Sequence, residues 1–159
     1  MKNLVINHPL NIKLTLQPIW HNDPPEIKIY IDDQCLEHLS LSDKTDFEFS
    51  GKFSANTHSL RIEFLNKQNS DTVDNKDKAV EIINVSFMNI ESQKFIWQGV
   101  YIPEYPEPWA SEQLAQGIQL SKHLRYQTRL SWNGVWKLTF TVPIFTWIHH
   151  VEDLGWIYD

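Results

Sequence analysis

Cysteine is almost absent: Cys35 is the single one in 159 residues, so no internal disulfide and no Cys-rich zinc site can form. That scarcity suits a reducing compartment of synthesis. Glycine is also scarce, at 5 residues, which excludes collagen-like and glycine-rich low-complexity sequence. No run of 18 apolar residues occurs, so no membrane-spanning helix is expected. Lysine and arginine form no cluster and the net charge is -6, whereas neutralising nucleic-acid phosphates needs a basic face. Neither nucleic acid nor membrane is therefore an expected partner. The opening residues MKNLVINHPLN turn polar too early for a signal peptide, so cytosolic synthesis without export is the expectation. A nucleophile elbow, a phosphate-binding loop and a dinucleotide fingerprint are all missing, and no enzyme is expected. The neighbours His149 and His150 would point about 100° apart on a helix and chelate one metal poorly. With no His-x-x-x-His pair, no zinc site is expected.

What the sequence does hold is alternation. Ile12, Leu14 and Leu16 alternate with polar partners, as do Ile27, Ile29 and Ile31, then Phe47 and Phe49, then Leu60, Ile62 and Phe64. A period of two over such short runs marks half-buried strands. Ala79–Ile90 is a longer β-type run, ending in Val85 and Phe87, with Met88 breaking the phase. Turn-forming residues separate the runs, among them His21–Pro25, Asp32-Asp33-Gln34 and Ser42-Asp43-Lys44. Cys35, just after the second of these turns, is expected to pack as a small hydrophobe. Several short strands without intervening helical patterns predict an all-β fold, an antiparallel sandwich of jelly-roll type over residues 1–100.

Beyond residue 100 the character changes. Residues 1–100 hold 9 aromatics and residues 101–159 hold 11 in little more than half the length. Pro103, Pro106 and Pro108 interrupt any regular ladder, which suggests an extended arm. Ser111–Gln119 reads as a short helix capped by Ser111. Leu124–Leu130 and Val135–Val142 read as two strands, and Asn133-Gly134 between them is a strong hairpin signal. Phe145–Leu154 reads as a terminal helix. An apolar end of this kind either folds back on the sandwich or docks on another protein, because large exposed apolar surface marks partner binding. Under the second option Trp109, Trp132, Trp136, Trp147 and Trp156 are the docking anchors. Trp97, Trp109, Trp132 and Trp136 are also candidates for stacking on sugar rings, although cross-strand packing is the commoner fate of such residues.

The most specific local feature is the loop Asn66–Glu81. Asp71, Asp74 and Asp77 recur at intervals of three between two strands. Calcium takes six to eight oxygens, and this loop is rich in them. It lacks the glycine and terminal glutamate of an EF-hand. Against the calcium reading stands a solvated loop in which Lys67, Lys76 and Lys78 neutralise the acids and Asx-turns occupy the side chains.

The strand His58-Ser59-Leu60-Arg61-Ile62-Glu63-Phe64, the polar loop, and Asp77-Lys78-Ala79-Val80-Glu81-Ile82 together resemble the calcium-dependent xylan-binding carbohydrate-binding modules over residues 58–90. Lys67 stands where that family has an acidic ligand, and Lys78 replaces an arginine. The resemblance implies a β-sandwich, calcium as cofactor at Asp71, Asp74 and Asp77, and a polysaccharide partner. The Asp71-Thr72…Asp77-Lys78-Ala79-Val80 pattern, followed by the Pro/Trp-rich segment and Trp132-Asn133-Gly134-Val135-Trp136, is similar to small uncharacterised virion proteins of tailed phages over residues 58–159. This second resemblance implies a structural component of capsid, neck, tail or baseplate, made in the host cytoplasm and resident in the virion. Its partners would be other virion proteins or further copies of itself, bound through residues 101–159. The virion role is the leading expectation and calcium-dependent binding of a host-surface polysaccharide the alternative.

Overall fold

The computed structural model describes residues 7–153. The alternating runs form strands where the sequence places them. In chain order the elements are β1 (Asn7–Ile19), β2 (Glu26–Ile31), β3 (Gln34–Ser40), β4 (Thr45–Ser54), β5 (Thr57–Phe64), a 3₁₀ turn (Asn69–Asp71) and β6 (Ala79–Phe87). There follow β7 (Ile90–Glu91), α1 (Gln93–Trp97), β8 (Val100–Pro103), α2 (Trp109–Ala115), β9 (Leu124–Arg125), β10 (Arg129–Leu130), β11 (Gly134–Thr141) and α3 (Ile144–Val151). All named strand pairs are antiparallel. One sheet runs β10-β6-β1-β4 with β7 beside β6; the other runs β3-β2-β5-β11-β8-β9. The fold is an all-β sandwich.

The inward residues of both sheets form one continuous core. Ile12, Leu14 and Leu16 of β1 meet Ile27 and Ile29 of β2, Leu60 and Ile62 of β5 and Val85 and Phe87 of β6, all fully buried. Each such side chain contributes about 1.5–3 kcal/mol relative to exposure. By contrast β3, an edge strand not foreseen from the sequence, buries none of its residues. Cys35 lies exposed on it, contrary to expectation, and its thiol donates to the Glu37 carbonyl at 3.4 Å.

The segment beyond residue 100 is not an appended arm. β11 is inserted between β5 and β8, paired with β5 from Gly134↔Phe64 to Thr141↔Thr57. Its inward residues Trp136, Leu138 and Phe140 are fully buried in the common core. The reason is physical: a strand with three large apolar residues on one face lowers its free energy most by completing the nearest sheet. Trp147 of α3 packs against Phe87 and Phe95, with ring centroids 5.2 and 5.4 Å apart. Trp136 and Trp147 are therefore core residues, not docking anchors.

Asn133-Gly134 does not turn a hairpin either. β10 pairs with β6 in one sheet while β11 pairs in the other, so the chain crosses between layers here. Gly134 is required for another reason: its φ is 149°, and a Cβ there would overlap the Ile102 carbonyl oxygen. The first helix of the C-terminal part begins at Trp109 behind Pro108, two residues before the expected Ser111 cap. The last one, α3, spans Ile144–Val151, starting one residue before the expected Phe145–Leu154 helix and ending three residues short of its end. Trp156 lies outside the described residues.

Candidate functional site at the loop end of the sandwich

Strand register gathers four loops at one end. Phe64 faces both Ile27 and Gly134, Gly134 faces Pro103, Ile19 faces Ala79, and Leu130 faces Val80. The connections over residues 20–25, 65–78, 104–108 and 131–133 therefore share one rim.

The acidic loop is welded to this rim by buried lysines. Lys78 is 1% exposed. Its ammonium donates to Asp23 Oδ1 at 2.7 Å, lies 3.2 Å from Asp71 Oδ2 and reaches the Asn66 carbonyl at 3.5 Å. Asp71, equally buried, also accepts from Asn22 Nδ2 and from the Gln68 backbone N–H, both at 2.7 Å. Burial pushes the Asp71 carboxyl up, but these donors and the Lys78 charge outweigh it and hold the group below the ordinary carboxylate range. His21 Nε2 and the Asp71 carbonyl, 2.8 Å apart, add a tie to the same loop.

Lys67, the second buried lysine, donates to Asp77 Oδ1 and, at 2.6 Å, to the Lys78 carbonyl. Asp77 accepts further bonds from Thr72 Oγ1 at 2.8 Å and Arg129 at 3.0 Å. Burial again works upward, yet Lys67, Thr72, the Lys78 N–H and Arg129 together bring Asp77 down to about 2. Asp74 stands apart, exposed in the left-handed conformation (φ 54°) of the turn closed by the Val73–Lys76 bridge. The three aspartates of the expected calcium site are thus not brought into one ligand set. Lysine ammoniums hold two of them, and among the described residues no group of three or more His, Cys, Asp or Glu is arranged to hold a metal. The donor set does not fit calcium.

Beside this network lies a cavity of about 310 Å³ lined by Lys67, Gln68, Asn69, Glu104–Glu107, Trp132 and Asn133. Its aromatic lining is Tyr105 and Trp132, and Trp109, outside the lining, joins the two rings with its centroid 5.8 Å from each. The Lys67 ammonium sits 5.3 Å from the centre of the Trp132 ring, so the aromatic wall and the ion-pair network share one cation. The backbone of Trp132 is gripped by the Tyr101 phenol, which accepts from the Trp132 N–H at 3.0 Å and donates to its carbonyl. Burial raises the Tyr101 hydroxyl far above its ordinary value and keeps it a donor. Asn133 clamps Lys67, its Oδ1 accepting from the Lys67 N–H at 2.7 Å and its Nδ2 donating to the Lys67 carbonyl at 3.0 Å. Asn69 Nδ2 reaches the Glu107 carbonyl at 2.9 Å.

Of the residues singled out from sequence, the structure brings Trp132 to this cavity, Trp109 against the Trp132 ring, and Asp71 and Asp77 to the network behind it. Sequence reasoning missed Tyr105, Tyr101 and Asn133. Tyr105 stands inside the proline-rich segment that signalled an arm, and Asn133 was absorbed by the hairpin reading.

A larger cavity, about 910 Å³, opens at the opposite end between β3 and β4 and includes Phe49, Phe53, Asp32 and His58. His58 Nδ1 faces Asp32 Oδ2 at 2.8 Å and Nε2 faces the Ser54 carbonyl at 2.9 Å. Both partners accept, so the doubly protonated ring is the one that matches. Burial lowers the pKa of His58, but Asp32 and Ser54 raise it more, to a net value above 6.5. With both nitrogens committed, His58 has no polar atom left for a ligand.

The architecture thus defined is an all-β sandwich with an aromatic, amide-lined cavity on one loop rim. The chain is similar to vCBM60 in complex with galactobiose, with a TM-score of 0.50 and 12% identity over 80% of this chain and 96% of that one. It is also similar to the selenomethionine form of vCBM60, whose description states that circular permutation provides an evolutionary link between two families of calcium-dependent carbohydrate-binding modules. Here the TM-score is 0.53, with 12% identity over 81% of this chain and 89% of that one. At this identity the likeness is one of fold. No family model and no curated protein matches the chain.

Proposed function

We propose that this protein is a non-catalytic carbohydrate-binding module whose glycan seat is the loop-rim cavity. The observation that carries the proposal is that the rings of Tyr105 and Trp132, joined by Trp109, line one small cavity together with Gln68, Asn69, Glu104 and Asn133. A sugar ring presents both an apolar C–H face and a rim of hydroxyls. Aromatic rings pack on the first, while amides and carboxylates bond the second. A volume of about 310 Å³ is at the small end for ligand sites, suited to the end of an oligosaccharide. Lys67 is committed to Asp77, so the charge left on the lining is that of Glu104 and Glu107. Like charges repel, so neutral glycans are favoured over sulfated or uronic ones. Since a similar fold is known with galactobiose bound, neutral galacto-oligosaccharides are the first ligands to try.

The virion-docking reading is less well supported. Of its five tryptophan anchors, Trp136 and Trp147 are spent in the core, Trp132 lines the cavity, Trp109 packs on Trp132, and Trp156 lies outside the described residues. Neither similar structure is described as a virion component.

The test is a titration of neutral oligosaccharides, galactobiose included, followed by tryptophan fluorescence. Trp132→Ala should weaken binding by on the order of tenfold, while Trp97→Ala, exposed at the other end, should leave it unchanged. Equal binding by wild type and Trp132→Ala would place the ligand elsewhere, and silence across neutral glycans would sink the proposal.

A further inference from the structure

We infer that buried ammonium groups occupy the structural place of a metal in this loop, so that the rim forms, and on the glycan reading proposed above binds its ligand, without calcium. The cations are already present. The Lys78 ammonium has three donors and three oxygens around it, from Asp23, Asp71 and Asn66. The Lys67 ammonium has Asp77, the Lys78 carbonyl and the face of Trp132. Arg129 adds a third cation, so that Asp23, Asp71, Asp77 and Glu81 are all paired with Lys67, Lys78 or Arg129.

The reagents a calcium ion would need are therefore consumed. Calcium requires six to eight oxygens, mostly carboxylate and carbonyl. The best oxygens of this loop, on Asp71 and Asp77, each carry a lysine partner. A divalent ion entering beside them would meet two ammoniums in a poorly screened environment, where like-charge repulsion is strong. Expelling the lysines would leave two ammoniums without partners in the interior. Asp74, the remaining acid of the triplet, faces solvent on its own turn. The chain therefore departs from the calcium dependence described for its structural neighbours while keeping their fold.

Three readouts on the full chain decide this. Thermal unfolding in excess calcium chloride and in EDTA should give the same midpoint; a rise in calcium that disappears in Asp71→Asn or Asp77→Asn overturns the inference. Terbium, a luminescent stand-in for calcium, should show no saturable emission sensitised by Trp132. Saturable emission that calcium displaces overturns it as well. Galactobiose should titrate identically in both buffers, and binding confined to calcium overturns the inference. If galactobiose and other neutral glycans fail in both buffers, the proposed function falls, and the melt and the terbium titration still settle the question of the metal.

Discussion

At the scale of single residues, the molecule concentrates its electrostatics in two places and leaves the rest of its charge on the surface. The loop network is the more demanding of the two, because Lys78 and Asp71 are both almost fully buried. Removing one partner of such a pair leaves an uncompensated charge inside. Lys78→Met should cost about 3–5 kcal/mol in urea denaturation, and Lys78→Met combined with Asp71→Leu should recover much of that loss. A single variant within about 1 kcal/mol of wild type would show that the pair relaxes into water. The second place is His58. Its pKa is raised in the folded state, so the native protein binds more protons than the unfolded chain. The contribution is fully present below 6.5 and lost as pH rises through the folded value above it. Chemical denaturation across that window should show stability falling with pH, and the slope should flatten in His58→Gln. Asp77 behaves oppositely: its contribution is present above 3.8 and is lost as pH falls towards about 2.

At the scale of elements, β11 decides most. It joins β5 to β8, and its first residue is the crossing point between the two layers. Gly134 admits the backbone of β8 at a distance no Cβ tolerates, and its φ of 149° is rare for other residues. Gly134→Ala should therefore lower the melting temperature and loosen the rim. A variant with unchanged melting and unchanged Trp132 fluorescence would contradict that account. Gly99 plays a parallel part under the indole of Trp136, where any Cβ would collide with the ring. Both glycines serve close approach, which explains why a sequence with so few still needs these. The ion pairs, in turn, close the long β5–β6 connection, which no regular backbone ladder could do. Only the short Val73–Lys76 bridge and the 3₁₀ turn give it internal backbone bonds.

At the scale of the whole molecule, the sandwich has one continuous core built from both halves of the chain. Residues from β1 to α3 belong to a single buried cluster. Truncation before Tyr101 would remove β8 to β11 and expose the buried flank of β5. Such a fragment should show no cooperative thermal transition by calorimetry. A sharp two-state melt of residues 1–100 would instead show that the first half is a domain in its own right. The same wholeness shapes the candidate site. Lys67, Glu104 and Trp132 belong to three different loops, and only the closed sandwich puts them around one cavity.

By itself the sequence determined the strands and the class of fold. Ile12–Leu16, Ile27–Ile31 and Leu60–Phe64 carry their periodicity locally, because alternation between water and core needs only neighbouring residues. It also showed an aromatic excess after residue 100 and an acidic loop with lysines among its aspartates. The tertiary structure alone decided what those features do. Asn133-Gly134 carries a hairpin signal, yet pairing partners far away in sequence draw β10 and β11 into different sheets. Trp136 and Trp132 are indistinguishable in composition, but one points into the core and the other lines the rim. Asp71 and Asp77 have the spacing of metal ligands, and Lys78 and Lys67 reach them first. Local pattern records which residues avoid water; which partner each one meets depends on long-range packing and on where opposite charges come to rest.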